Sequence, residues 1–262
     1  MPAKRYKLAL ALMLSVLVGA TGVVVVLLKM LGNSFADIHT GRIFPLGERV
    51  DYTTIGAANT PAPGGACVAF YGDSRAYHWA KYVDSNTDVS IANLAEGGRT
   101  TAQQLLLLPF AETSGEKYPM AVLQVGINDL HPLGALSEMQ RRKARENTKT
   151  HIAEIVRRLT LQAETVVVTT VFPPGPTPLS RAPFWDDATL TYIRELNAQI
   201  RAIDGVVVME SGNVLAQPEN TDLIRSGFLA DDFYLHVNEA AYSALTRVLA
   251  DSGVAACVAE SL

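Results

Sequence analysis

Residues 67–82 read Cys-Val-Ala-Phe-Tyr-Gly-Asp-Ser-Arg-Ala-Tyr-His-Trp-Ala-Lys-Tyr. The run Cys67 to Tyr71 is apolar and short, and Gly72-Asp73-Ser74 closes it. A brief apolar run bounded by turn residues predicts a strand buried on both faces. Arg75 to Tyr82 then reads as a short helix. Asp and Ser are ordinary choices at a helix N-cap, so the turn also reads simply as a capped helix start.

The same alternation continues downstream. Val89 to Leu94, Met120 to Val125, Thr165 to Phe172 and Val206 to Met209 read as strands. Thr101 to Phe110, Arg141 to Gln162, Asp187 to Ile203 and Asn238 to Ala250 read as helices. Strands alternating with helices predict βαβ units and a parallel sheet covered on both sides. Five strands in this rhythm predict an α/β fold with a flavodoxin-like, doubly wound parallel sheet. Ligands of such sheets bind at the carboxyl ends of the strands.

Upstream, the composition breaks. Leu8 to Leu28 are 21 consecutive uncharged residues, and only Ser15, Gly19, Thr21 and Gly22 are neither strongly apolar nor Ala. As a helix they extend about 31 Å, close to the hydrocarbon thickness of a bilayer. Lys4, Arg5 and Lys7 precede the run, and Lys29 is the last cation before Arg42. That asymmetry predicts a transmembrane signal-anchor at 8–28, a cytoplasmic tail at 1–7 and an extracytoplasmic remainder, periplasmic in a bacterium. Val18-Gly19-Ala20 also fits a signal-peptidase site and leaves secretion as the alternative, although the apolar run continues to Leu28. Residues 29–66, rich in Gly and Pro, read as a linker, and 67–262 as the globular domain.

The 262 residues carry 48% hydrophobic and 18% charged side chains, which excludes a disordered chain and a bundle of membrane helices. Beyond residue 30 there are 18 basic and 26 acidic side chains. This acidity argues against nucleic-acid binding. No metal-ligand spacing such as Cys-x-x-Cys and no phosphate-binding Gly-x-x-x-x-Gly-Lys occurs, so no cofactor is expected.

Four turns at the ends of elements hold reactive residue types. Gly72-Asp73-Ser74 ends the first strand, and Asn93 to Thr100, containing Gly97-Gly98, ends the second. Gly126-Ile127-Asn128-Asp129 ends the third, and His236-Val237-Asn238 precedes the last helix. Singly, each is an ordinary turn. Of the other histidines, His39 lies in the linker and His151 on the long helix, while His78 and His131 lie close in sequence to two of these turns.

In this order and spacing the four turns resemble the SGNH/GDSL hydrolase superfamily over roughly residues 67–250. More loosely, the chain is similar to the esterases related to platelet-activating-factor acetylhydrolase catalytic subunits. The resemblance implies a serine esterase with Ser74 as nucleophile and His236 as base. It places the backbone N–H groups of Ser74 and Gly98 and the Asn128 side chain in an oxyanion hole. Relatives carry an orienting Asp three residues before the His, where this chain has Phe233. Asp232 is the expected substitute, with Asp231 or a Ser–His dyad as alternatives. Ala241 also departs from the family's usual Gly.

Around this set, Arg75 and Arg99 are candidates for binding an anionic substrate group. Their alternative is local pairing with Asp73, Asp129 or Glu96. The loop from Pro173 to Trp185 offers Phe184 and Trp185 as candidate walls of a pocket. Cys67 and Cys257 are the two cysteines, and an exported domain permits a disulfide between them. The expected substrate is an acyl or acetyl ester, small or part of the cell envelope, met by a membrane-tethered hydrolase. An O-acyltransferase or deacetylase of envelope polysaccharide, and a catalytically weak binding domain, are the alternatives.

Overall fold

The computed structural model describes residues 2–56, 64–109, 116–178, 185, 188–231 and 234–251, with side chains from residue 13 onward except Ser15. Five strands form one parallel sheet: β1 (Val68–Gly72), β2 (Ile91–Asn93), β3 (Tyr118–Gln124), β4 (Ala163–Thr169) and β5 (Val207–Met209). The strand order is β2-β1-β3-β4-β5, the flavodoxin-like order expected from the sequence. Among the described residues eight α-helices accompany them: α1 (Pro2–Ile43), α2 (Ser74–Asn86), α3 (Thr101–Leu107), α4 (Ile127–Leu130), α5 (Glu138–Gln162), α6 (Ala188–Arg201), α7 (Ser211–Leu215) and α8 (Glu239–Asp251).

The alternation of side chains along the strands divides the core. Ala69, Tyr71, Ala121, Leu123, Val166 and Val168 face one way and pack with α3, α5, α6 and the end of α1. Val68, Phe70, Met120, Val122, Val167 and Met209 face the other way and pack with α2, α7 and α8. Both faces of the sheet are covered, so the strands lack polar alternation and appear in the sequence as continuous apolar runs. Capping boxes start two helices, Thr100 with Gln103 at α3 and Ser137 with Gln140 at α5.

The N-terminal region differs from the sequence expectation. Residues 29–43, read as the start of a linker, continue α1 without interruption to Ile43. Phe35, Ala36, His39, Thr40 and Ile43 lie at helical spacing and are partly or fully buried against the domain. Phe44 and Tyr52 are buried too, and the Tyr52 hydroxyl accepts a hydrogen bond from the Leu46 N–H at 2.9 Å. Gly32-Asn33-Ser34 and Gly41 have low intrinsic helix propensity, but burial of this stripe outweighs it. The helix stops two residues before Pro45, where a proline disfavours further helix.

The preceding part of α1 has no such stripe, and its large apolar side chains from Met13 to Leu31 are exposed. Among the described residues, Val16–Ile43 is the one helix long and apolar enough to cross a membrane.

Candidate active site

The loops at the carboxyl ends of β1, β2 and β3 meet the turn before α8 around one cavity. β1 ends at Gly72, whose φ is +131°. A Cβ there would overlap the Gln124 carbonyl of β3, so only Gly permits this close approach. Asp73 caps α2, accepting from the Arg75 N–H at 2.9 Å, and Ser74 becomes the first residue of the helix.

His236 sits on a short closed loop. Leu229 and Val237 form an antiparallel bridge, the Ala230 N–H donates to the His236 carbonyl at 3.2 Å, and the Asn238 N–H donates to Phe228 at 2.9 Å. This loop brings His236 Nε2 to 2.8 Å from Ser74 Oγ, across 162 residues of chain. A hydroxyl at that distance from an imidazole can pass its proton to the ring as it attacks an electrophile.

Arg75 is held internally on two sides. It is fully buried, with Nε donating to the Leu235 carbonyl at 2.6 Å and Nη1 donating to Phe172 at 2.7 Å. The guanidinium also lies 5.5 Å from the centre of the Phe172 ring. Burial raises the Asp73 carboxyl above its usual range, and the nearby Arg75 charge opposes the shift. Arg75 therefore braces the His236 loop, and it also belongs to the lining of the cavity that holds Ser74 and His236.

Arg99 is also engaged internally. It forms an ion pair with Glu96 at 2.7 Å and donates to Leu94 O at 2.6 Å and to Gln104 Oε1 at 3.3 Å. The backbone beside it carries Gly98 in the left-handed region, at φ +73°. Asn128, in the first turn of α4, donates from Nδ2 to the Arg99 carbonyl at 3.1 Å. An amide nitrogen carries two N–H donors, so the second is left for another acceptor.

Beneath Asn128 is a buried polar chain. The Thr101 hydroxyl lies 2.7 Å from Asp129 Oδ1 and 3.0 Å from His151 Nδ1. The Thr101 N–H also donates to Asp129 Oδ2 at 3.0 Å. Burial pushes the Asp129 carboxyl up to about 6, against the lowering effect of the Thr101 hydrogen bonds. Burial likewise pushes His151 down to about 4. With the single Thr101 proton given to ionised Asp129, a neutral His151 donates from Nδ1 to the hydroxyl oxygen.

The cavity has a volume of about 1000 Å³ and is lined by Ser74, Gly98, Asn128 and His236 among others. His78, one turn after Ser74, also lines it, and its ring stands edge-on to His236 at 5.6 Å between centroids. Asp231 lines the cavity, whereas Asp232 and Phe233 lie outside the described residues.

Trp185 is not part of the lining of this cavity. It packs in the core, 5.6 Å from the Tyr234 ring and 6.3 Å from the His131 ring. Phe184 lies outside the described residues. Cys67 is disulfide-bonded, and Cys257 lies outside the described residues. Among the described residues no group of three His, Cys, Asp or Glu is arranged to hold a metal ion.

The sequence model of the GDSL-like lipase/acylhydrolase family matches residues 53–244. The chain belongs to this family. Membership in the GDSL-like lipase/acylhydrolase family supports ester hydrolysis as its general activity. A GDSL-like lipase from Bacteroides thetaiotaomicron superposes with a TM-score of 0.52 at 15% identity, over 84% of this chain and 98% of its own. A Streptococcus pneumonia protein provisionally named a platelet activating factor gives 0.50 at 16% identity, over 88% of this chain and 98% of its own. An alpha/beta hydrolase enzyme from the metagenome of Lake Arreo, Spain, gives 0.50 at 17% identity, over 76% and 99%. At these identities the likeness is one of fold. No curated protein matches the chain in sequence.

Proposed function

We propose that this GDSL-family protein is a membrane-anchored serine esterase that hydrolyses carboxylic acyl or acetyl esters through an acyl-enzyme. The observation that carries the reading is the 2.8 Å contact between Ser74 Oγ and His236 Nε2 at the wall of the cavity.

Ser74 Oγ attacks the ester carbonyl carbon as His236 Nε2 takes the hydroxyl proton. The carbonyl oxygen becomes an oxyanion, held by the Ser74 and Gly98 N–H groups and the second Asn128 Nδ2 proton. Collapse of the tetrahedral adduct breaks the carbon–oxygen bond to the alcohol, which receives the proton from His236. Water then attacks the acyl-enzyme with His236 again as base, releasing the acid and free Ser74. An Asp from the segment before His236, with Asp232 first in line, orients the ring. Arg75 supports the same site indirectly, by fixing the carbonyl before the base.

The exposed apolar length of α1 supports the anchor. Lys4, Arg5 and Lys7 support a cytoplasmic N-terminus, which leaves the catalytic domain outside. The substrate then lies in the extracytoplasmic space or the envelope.

The deciding experiment is fluorophosphonate labelling of the full-length protein, with mass spectrometry of the adduct. The expected result is one adduct on Ser74, absent from Ser74→Ala and slowed in His236→Ala. Labelling elsewhere, or none, overturns the serine mechanism. Mature protein beginning at Thr21 overturns the anchor alone.

A further inference from the structure

α1 ends against the loop that carries Gly98. Arg42, the residue before the last of the helix, donates from Nη2 to the Gly98 carbonyl at 2.5 Å. The contact is returned, since the Thr100 hydroxyl donates to the Arg42 carbonyl at 2.7 Å. The guanidinium also occupies the space that a Cβ on Gly98 would need.

The next carbonyl, that of Arg99, is held by Asn128 Nδ2. Two successive peptide carbonyls of this loop are therefore each held by a side chain from another element, and one of those elements is α1. At the base of the loop, the Glu96 N–H donates to the Gly72 carbonyl at 3.1 Å, and the Arg99 N–H to Glu96 at 3.3 Å. The Gly98 N–H and carbonyl belong to successive peptide planes joined at one Cα, so with φ held at +73° anchoring the carbonyl side limits the directions open to the N–H.

The same helix reaches the other half of the site through aromatic contacts. Phe35 and His39 lie 4.2 Å apart between ring centroids, and His39 meets His131 at 5.1 Å. His131 packs against Trp185, which packs against Tyr234, two residues before His236.

We infer that Arg42 is a positioning residue for the oxyanion hole, through which the docked end of α1 aligns the Gly98 N–H with the developing negative charge. The inference rests on the serine-esterase reading and adds to it a requirement for α1 in catalysis as well as in tethering. Charge on the carbonyl oxygen grows only toward the transition state. Misalignment of a donor therefore lowers kcat and leaves KM nearly unchanged.

The test compares wild type with Arg42→Ala and Arg42→Lys as full-length proteins in detergent micelles. Competent sites are counted by exhaustive fluorophosphonate labelling, so a partly unfolded sample does not imitate a slower enzyme. Arg42→Ala is expected to lose about 10- to 100-fold in kcat per labelled site, with KM within about twofold. Arg42→Lys, which keeps a cationic donor, is expected to regain part of that loss. If Arg42→Ala does not fold, Arg42→Gln takes its place with the same expectation. Wild-type kcat per labelled site in the variant overturns the inference, as does a loss confined to KM or an equal loss in the Ala and Lys variants. Failure of the wild type to label at Ser74 overturns the esterase reading itself, and the inference with it.

Discussion

Arg75 Nε donates to the Leu235 carbonyl at 2.6 Å, so the residue after the candidate nucleophile holds the residue before the candidate base. The second bond, from Nη1 to the Phe172 carbonyl, extends the brace to the segment that follows β4. A buried guanidinium is expensive to desolvate, and here its hydrogen bonds and the Asp73 carboxyl offset part of that cost.

Replacing Arg75 by Met leaves the buried Phe172 carbonyl and the part-buried Leu235 carbonyl without these donors and Asp73 without its nearby cation. The expected cost is about 3–5 kcal/mol of stability, from two hydrogen bonds donated by a charged group at about 1.5–3 kcal/mol each. Activity should fall with it, because the His236 loop loses its tie to α2. Thermal melting and ester turnover of Arg75→Met measure both, and a variant that melts and turns over like wild type contradicts the brace.

Asn128→Ala removes the side-chain donor proposed for the oxyanion. Turnover should drop about 10²–10³-fold, the usual effect of losing one such donor. The lost bond to the Arg99 carbonyl should cost only about 1 kcal/mol. The informative result is the combination of a large fall in kcat with a melting temperature lowered by a few degrees.

The docked end of α1 makes its own prediction. Ile43 is fully buried in the core cluster on the α5 side of the sheet. Ile43→Ala should cost about 2–4 kcal/mol, as large-to-small changes in a core do. Val24→Ala, on the exposed part of α1, should leave unfolding of the domain unchanged. Denaturant titration of the two variants distinguishes a docked helix from a free linker, which would make both changes neutral.

His151 should be visible in the pH dependence of stability. Its folded value, near 4, is below the reference value of 6.5, because burial disfavours the imidazolium. Its contribution is therefore complete above pH 6.5 and is lost as the pH falls toward 4. The difference corresponds to about 3 kcal/mol. Asp129 shifts in the opposite direction, upward through burial, so it favours the fold as the pH falls below about 6. Comparing wild type with His151→Asn isolates the histidine, since Asp129 is present in both. Wild type should lose about 3 kcal/mol relative to the variant between pH 7 and pH 4. Parallel stability curves would falsify the assignment.

The alternation of strands and helices was legible in the sequence because burial imposes it locally. A parallel strand covered on both faces must be apolar throughout, as Met120 to Leu123 are, and a helix over a sheet must repeat its apolar face, as Ile152, Ile155 and Leu159 do. That turns bearing Ser74, Gly98 and Asn128 follow the strands is part of that alternation, whereas the choice of these residues rests on the resemblance to the SGNH/GDSL family. The turn before the last helix likewise places His236 in the sequence.

What the tertiary structure alone decided depends on partners far away in the chain. Gly32, Asn33, Ser34 and Gly41 are local signals against helix, and only the domain surface that receives Phe35, His39 and Ile43 explains why α1 continues. A cation beside a nucleophile suggests an exposed ligand group, yet Arg75 is turned inward by carbonyls 97 and 160 residues away. Trp185 is drawn into the core by Tyr234 and His131 in the same way. Arg42 gains its relation to Gly98 only when 56 residues of intervening chain have folded. Periodic burial is written residue by residue along the chain, whereas a hydrogen bond between distant segments exists only after the backbone has brought donor and acceptor within about 3 Å.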